Sequence, residues 1–177
     1  MGIRDRFVSS SPWRVAPGRR KIAAKAVEAI DPQAWVVDDT GFPKDGPASP
    51  GVARQYSGSL GKVGNVQIGV SVHAVTDAAS CPLDWRLFIP QAWDDIHAET
   101  NEAAEAIQSR RSRAQIPDTV RHRPKWELAI EMLDELAAWG QTPPVVVADA
   151  GYGEIGPFRT GLTQRNIPYV AVSYTHL

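Results

Sequence analysis

The chain is poor in cysteine and has no long apolar segment. Cys81 is its single cysteine, so no disulfide can form within the chain, and we expect a reducing compartment. No stretch is apolar over the roughly 20 residues that a membrane-spanning helix requires. The first 20 residues contain several arginines but lack the apolar centre of a secretory signal. We therefore expect a cytoplasmic protein with no membrane partner.

Net charge is also nearly absent. The 19 basic and 20 acidic residues give a formal net charge of −1, so overall charge does not draw the protein to nucleic acid. Any DNA binding must then depend on local clusters of basic residues. With 177 residues, of which 43% are hydrophobic and 22% charged, the chain has the size and composition of one soluble globular domain.

Two short apolar segments end in aspartate. Residues 35–37 are followed by Asp38 and Asp39, and residues 145–148 are followed by Asp149 and a glycine-rich turn. Both segments have the length and the β-branched content of buried strands. If the two strands are neighbours in one sheet, Asp38 and Asp149 lie at the same sheet edge.

The remaining pattern predicts alternating helices and strands around a long loop. The glycine- and proline-rich residues 41–51 are expected to form that loop, and residues 91–123 to be partly helical. The predicted helices cover residues 21–30, 124–139 and 154–165, and the predicted strands cover residues 66–75, 84–89 and 168–172. This order predicts an α/β fold with an RNase H-like mixed sheet, in which an antiparallel three-strand meander is joined by parallel strands, with flanking helices.

Asp38 and Asp149 are candidates for a metal site. Two aspartates without histidine or cysteine beside them offer only oxygen ligands, which suit Mg²⁺ or Mn²⁺ rather than zinc. Pairs of such ions promote phosphodiester chemistry. In the alternative interpretation Asp38 and Asp39 only end a strand and Asp149 only begins a turn, which aspartate does well. The residues by themselves leave both interpretations open.

Four motifs in order carry a family resemblance. They are VDDTGFPK at 37–44, GVARQYSG at 51–58, LGK at 60–62 and ADAGYG at 148–153. Together they resemble bacterial insertion-sequence transposases of the DDE class, over about residues 7–172. The resemblance implies an RNase H-like catalytic domain, Mg²⁺ (or Mn²⁺) as cofactor, and DNA as partner, both transposon ends and target. It implies Asp38 and Asp149 as the catalytic metal ligands, with Asp39 at an adjacent position that would tolerate glutamate.

The sequence departs from this family at the third carboxylate. The family pattern places a glutamate on a helix well beyond the second aspartate, and Glu154 is too close to Asp149 to fill that role. We therefore expect a truncated transposase, with little or no strand-transfer activity of its own. The expected organisation is an arm and short helix at 1–30, a partial RNase H-like catalytic domain at 31–172 and a non-native tail at 173–177.

Three functions are consistent with these features. In the first, the complete protein cleaves DNA strands at transposon ends and joins the freed 3′-hydroxyl to target DNA. In the second, the chain is a catalytically inactive remnant that binds DNA or inhibits a full-length transposase; a homodimer is left open as well. In the third, it is an unrelated Mg²⁺-dependent nuclease or phosphatase built on the same sheet plan.

Several polar residues are candidate contacts to the DNA backbone. The alternative for each is an ordinary solvated side chain. For Tyr152, structural packing is favoured over stacking on DNA, and His73 is interpreted as a structural histidine. The DNA-binding candidates are Lys44, Arg54, Gln55, Tyr56, Lys62, Arg110, Arg111 and Arg113.

Overall fold

The computed structural model describes residues 15–57 and 61–172 of the chain. The first 14 residues of the predicted arm and the predicted tail at 173–177 lie outside these residues. Within the described ranges, no helix is long and apolar enough to cross a membrane.

One six-stranded sheet organises the described residues. Its strands are β1 (Ala34–Pro43), β2 (Ala53–Ser57), β3 (Lys62–Val75), β4 (Ser80–Leu87), β5 (Val146–Ala148) and β6 (Tyr169–Ala171). The strand order is β2-β3-β1-β5-β6, and β4 pairs with β3. The pairs β1–β3, β2–β3 and β3–β4 are antiparallel, whereas β1–β5 and β5–β6 are parallel. The predicted α/β mixed sheet, with its antiparallel meander and parallel strands, is confirmed.

The described residues form five helices. They are α1 (Val15–Ile30), α2 (Asn101–Arg113), α3 (Lys125–Ala138), α4 (Ala150–Gly153) and α5 (Gly156–Gln164), with two 3₁₀ turns at Gln91–Trp93 and Asp95–His97. Helix α3 matches the helix predicted at 124–139, with Pro124 as its N-cap. Helix α4 replaces the glycine-rich turn expected after Asp149, whose side chain caps it by accepting from the amide of Tyr152.

The long loop predicted at residues 41–51 is only partly present. β1 continues to Pro43, because Gly41 and Phe42 pair with Ile68 and Gln67 of β3. This ladder overrides the weak strand propensity of glycine, and the proline sits at the strand end, where its missing N–H is tolerated. Strand β2 was not predicted at all, since its short polar sequence shows no hydrophobic alternation.

Four of these helices, α1, α3, α4 and α5, contribute side chains to a core on one face of the sheet. Alternation along β1 buries Trp35 and Val37 in a core shared with the helices, while Asp38 on the opposite face is exposed. On that opposite face, Trp85 and Val170 are 59% and 60% exposed. The described part of the chain therefore leaves this face of the sheet open, and we call it the open face.

A network of charged side chains fixes α1 and α3 to the sheet. Asp84 of β4 is 1% exposed and accepts from Arg19 of α1 at 2.6 Å and from Arg86 at 2.8 Å. Glu135 of α3 contacts both of these arginines. A buried carboxylate is tolerated only when it is paired and hydrogen-bonded in this way.

Gly153 provides a test of the packing between α4 and β6. A Cβ atom at this position would overlap the carbonyl oxygen of Val172 and lie 3.1 Å from the Cβ of Ala171. We expect Gly153→Ala to lower the free energy of unfolding by about 1–3 kcal/mol in urea titrations, because the backbone must shift.

The matched control for this substitution is Gly18→Ala in α1, where a Cβ meets nothing within 4 Å. It should raise the free energy of unfolding by up to about 1 kcal/mol, since alanine is the better helix former. Wild-type stability of Gly153→Ala would contradict the close approach of α4 to β6.

Candidate active site

The register of two parallel strands brings Asp38 and Asp149 together. β1 and β5 pair Val37 with Ala148, so Asp38 is the next residue of β1 and Asp149 is the first residue after β5. Neighbouring strands lie about 4.8 Å apart. Val37 and Ala148 are buried against the helices, and both aspartates are exposed. Alternation along each strand therefore directs the two carboxylates toward the open face.

Each of these carboxylates has one oxygen oriented by a backbone amide. The N–H of Asp39 donates to Asp38 Oδ1 at 2.7 Å, and the N–H of Tyr152 donates to Asp149 Oδ1 at 3.3 Å. Gly151 leaves room for the carboxylate of Asp149, since a Cβ at position 151 would lie 3.1 Å from Asp149 Oδ1. Among residues 15–57 and 61–172, no side chain or amide donates to the Oδ2 atoms of Asp38 and Asp149, and no cation pairs with either. Two carboxylate oxygens are thus available to a ligand.

Asp39 points to the opposite face of the sheet, where it is neutralised. Lys125 contacts its Oδ2 atom, and the hydroxyl of Tyr152 donates to its Oδ1 atom. Burial, the carboxylate of Asp39 and, more weakly, those of Asp149 and Asp38 raise the pKa of Tyr152 well above its usual value. The tyrosine therefore stays protonated and acts as a donor.

Sequence reasoning missed the contacts made by Lys125 and Tyr152. Lys125 lies 86 residues from Asp39 in the chain, so no local sequence pattern joins the two. Tyr152 packs against Phe158 with ring centroids 5.5 Å apart, as expected for a structural residue. Its hydroxyl contact has no signal in the sequence.

His73 lies on the open face near Asp38. Its Nε2 atom is 3.0 Å from Ser71 Oγ, and that hydroxyl donates to the main-chain oxygen of Asp38 at 3.3 Å. Burial lowers the pKa of His73, although the charge of Asp38 opposes the shift. The imidazole is therefore mostly neutral at pH 7 and does not pair with the carboxylates as a cation.

The carboxylate pair fits a divalent cation as a partial site. In the described ranges, no group of three or more histidine, cysteine, aspartate and glutamate side chains could hold a metal ion, and Glu154 at the end of α4 does not join the pair. Mg²⁺ is commonly held by one or two carboxylates together with waters and substrate phosphates. Asp38 and Asp149 supply two such carboxylates.

Most candidates around the β2–β3 hairpin are accessible. Lys44, Arg54, Tyr56 and Lys62 are exposed, whereas Gln55 is partly buried and donates to the carbonyl of Val66 at 3.2 Å.

The strand register gives the distance between the β2–β3 hairpin and the acids Asp38 and Asp149. Lys44 and Arg54 flank Asn65 of β3, and Asp38 pairs with Ser71, six residues further along. At about 3.4 Å per residue this places the hairpin roughly 20 Å from the acids.

The arginines of α2 have different surroundings. Arg110 stacks over Trp93 at 3.7 Å and donates to the carbonyl of Ala92. Arg111 is 3% exposed, and its guanidinium donates to three main-chain carbonyls. A buried guanidinium used in this way cannot reach a phosphate, so Arg111 is withdrawn from the DNA-binding candidates. Arg113 is exposed and remains one of them.

Comparison with known proteins identifies the family of the chain. The family model described as DDE superfamily endonuclease matches residues 5–173. The chain belongs to this family. It is also similar to the probable transposase for insertion sequence element IS701 from Microchaete diplosiphon, with 29% identity over 174 residues. No solved structure gives a significant match. The resemblance to DDE-class insertion-sequence transposases is confirmed.

The match covers the two proteins unequally. It includes 96% of this chain and 40% of the relative, so the chain spans about two fifths of that transposase's length.

Arg111 and Arg113 provide a matched test of the structure of α2. We expect Arg111→Met to lower the free energy of unfolding by about 2–4 kcal/mol, because buried carbonyls lose their donors. Arg113→Met, two residues away on the exposed side, should change it by less than about 0.5 kcal/mol. Urea unfolding of both variants measures the difference, and equal stability of the two would show that Arg111 is not buried as described.

Proposed function

We propose that Asp38 and Asp149 of this DDE superfamily endonuclease hold a divalent metal ion, Mg²⁺ or Mn²⁺, in a centre for DNA strand cleavage and strand transfer. The observation that carries the proposal is their adjacent register at β1 and β5, where each has one carboxylate oxygen that receives no donor from the described residues. Members of the family generally use divalent metal ions, and the IS701 relative is described as a transposase.

The residues of the chain contribute orientation and charge to this centre. When bound, divalent ions activate an attacking water or 3′-hydroxyl and stabilise the leaving oxygen. The amides of Asp39 and Tyr152 hold the two carboxylates in place before any ligand arrives. The two neighbouring carboxylates repel one another, and a bound cation relieves this repulsion.

The open face also offers a path for DNA. A groove of about 550 Å³ begins at Thr40, two residues beyond Asp38 on the same strand face, and extends to Lys44. Phe42 and Trp85 line it and are 50% and 59% exposed. The hairpin residues Arg54 and Lys62 lie further from Asp38 along β3, towards its first residue. The proposed substrate is double-stranded DNA, at transposon ends and at the target, and the proposed catalytic domain comprises residues 31–172.

A second candidate is a chain that binds DNA without cleaving it, or that inhibits a full-length transposase. The observation in its favour is that the described residues contain no group of three acidic, histidine or cysteine side chains that could hold a metal ion. The two candidate functions differ in one requirement. The metal centre requires Asp38 and Asp149 to bind metal, whereas the DNA-binding role does not.

Mn²⁺ binding measured by calorimetry tests the proposed centre. We expect the wild type to bind Mn²⁺ weakly and both Asp38→Asn and Asp149→Asn to abolish binding, because each removes one of two charged ligands. Asp45→Asn, which changes an exposed carboxylate beyond β1, is the matched control and should bind as the wild type does. Retained binding in both ligand variants would refute the centre, and robust strand transfer by this polypeptide would refute the need for a third carboxylate.

DNA binding tests the role of the hairpin. Each phosphate contact adds about 0.9 to the slope of log K against log salt concentration. The triple variant Lys44→Ala, Arg54→Ala, Lys62→Ala should therefore lose between about 2 and 3 from that slope, as measured by fluorescence anisotropy with duplex DNA.

Lys25→Ala is the matched control for this measurement, since Lys25 is exposed on α1 and pairs with Glu28. It should leave the slope unchanged. If the triple variant keeps the wild-type slope, the hairpin does not contact DNA.

A further inference from the structure

The carboxylate of Asp39 is held on the helix-covered face by two donors. Lys125, the first residue of α3, contacts Oδ2, and the hydroxyl of Tyr152 contacts Oδ1. The side chains of Asp39 and Lys125 are 27% and 33% exposed, and Tyr152 is 4% exposed. Hydrogen bonds to a charged group are strengthened by such partial exclusion of water.

This group of three is bonded to both carboxylates of the proposed metal centre. The amide of Asp39 orients Asp38, and the amide of Tyr152 orients Asp149. Tyr152 is the connecting residue, because its hydroxyl contacts Asp39 in the middle of β1 while its own amide donates to the carboxylate of Asp149, which follows β5. A shift of β1 relative to β5 would strain these contacts.

We propose that Asp39, Tyr152 and Lys125 form a positioning clamp, which fixes the orientation of the Asp38 and Asp149 carboxylates relative to one another for metal binding. The inference rests on the proposed function, since it assigns the clamp a role toward a metal held by that pair. Asp39 is a positioning residue and not a further ligand, because both of its oxygens are engaged and its side chain lies on the other face.

Loss of stability alone does not test the clamp, since any contact between β1, α3 and α4 contributes to folding. The chain offers a matched ion pair on the same helix. Arg165, the C-cap residue of α5, donates to Asp134 of α3 at 2.6 and 2.7 Å. Asp134→Asn therefore removes an ion pair from α3 without touching the clamp. Tyr152→Phe is the mildest clamp variant, because it keeps the ring that packs against Phe158.

The first measurement is Mn²⁺ affinity by calorimetry on the full chain. Residues that orient metal ligands typically affect affinity by about 10–100-fold. We expect a loss in that range for Tyr152→Phe and for Lys125→Met, with most of the affinity kept in Lys125→Arg. Asp134→Asn should bind as the wild type does.

The second measurement does not require metal. The amide proton of Asp39 reports its hydrogen bond to Asp38 Oδ1 through its chemical shift. In spectra of the metal-free protein we expect Tyr152→Phe and Lys125→Met to move this resonance upfield, in the direction produced by Asp38→Asn. Asp134→Asn should leave it in place.

The outcomes separate this inference from the function on which it rests. If the wild type binds Mn²⁺ and Asp38→Asn abolishes binding, while Tyr152→Phe and Lys125→Met bind normally, the clamp is overturned and the metal centre stands. An unmoved Asp39 amide in both clamp variants also overturns the clamp. If the wild type binds no Mn²⁺, the proposed metal centre fails, and the clamp's role toward a metal fails with it.

Discussion

The parallel pairing of β1 with β5 is the constraint on which the candidate site depends. More than 100 residues separate Asp38 from Asp149 in the chain, and only the register of these strands makes them neighbours. Burial of Trp35 beside Val146, and of Val37 beside Ala148, fixes that register. A slip of one residue would turn the apolar side chains to water and the acids into the core. The hydrophobic core therefore sets the position of the charged pair.

The sequence predicts those parts of the fold that have strong local patterns. β5 is recognised from its apolar run and α3 from its 3.6-residue periodicity. Two short apolar segments that are each followed by aspartate predict that Asp38 and Asp149 are neighbours. The sequence of β2 lacks a hydrophobic pattern, and the segment is a strand because it pairs with β3. The contacts of Lys125 with Asp39 and of Arg111 with distant carbonyls join residues that only the tertiary fold brings together.

The pleat of β1 gives two adjacent aspartates different environments. Asp39 is compensated by Lys125 and Tyr152 on the covered face, and Asp38 has no cation partner among the described residues. Lys125 thereby reduces the net negative charge around Asp38, Asp39 and Asp149. In the proposed centre, Asp38 and Asp149 are then the two carboxylates left to face a cation on the open face.

Exposure of the pair on the open face has an energetic consequence. Attraction between charges falls as the effective dielectric constant rises, so carboxylates in contact with water bind a cation less strongly than enclosed ones. DNA in the groove beside Thr40 would bring phosphate oxygens to the same cation and displace water. Metal and DNA would then bind cooperatively, and linkage requires that each strengthen the binding of the other by the same factor. A weak metal affinity of the free chain is therefore compatible with a centre that is assembled on its substrate.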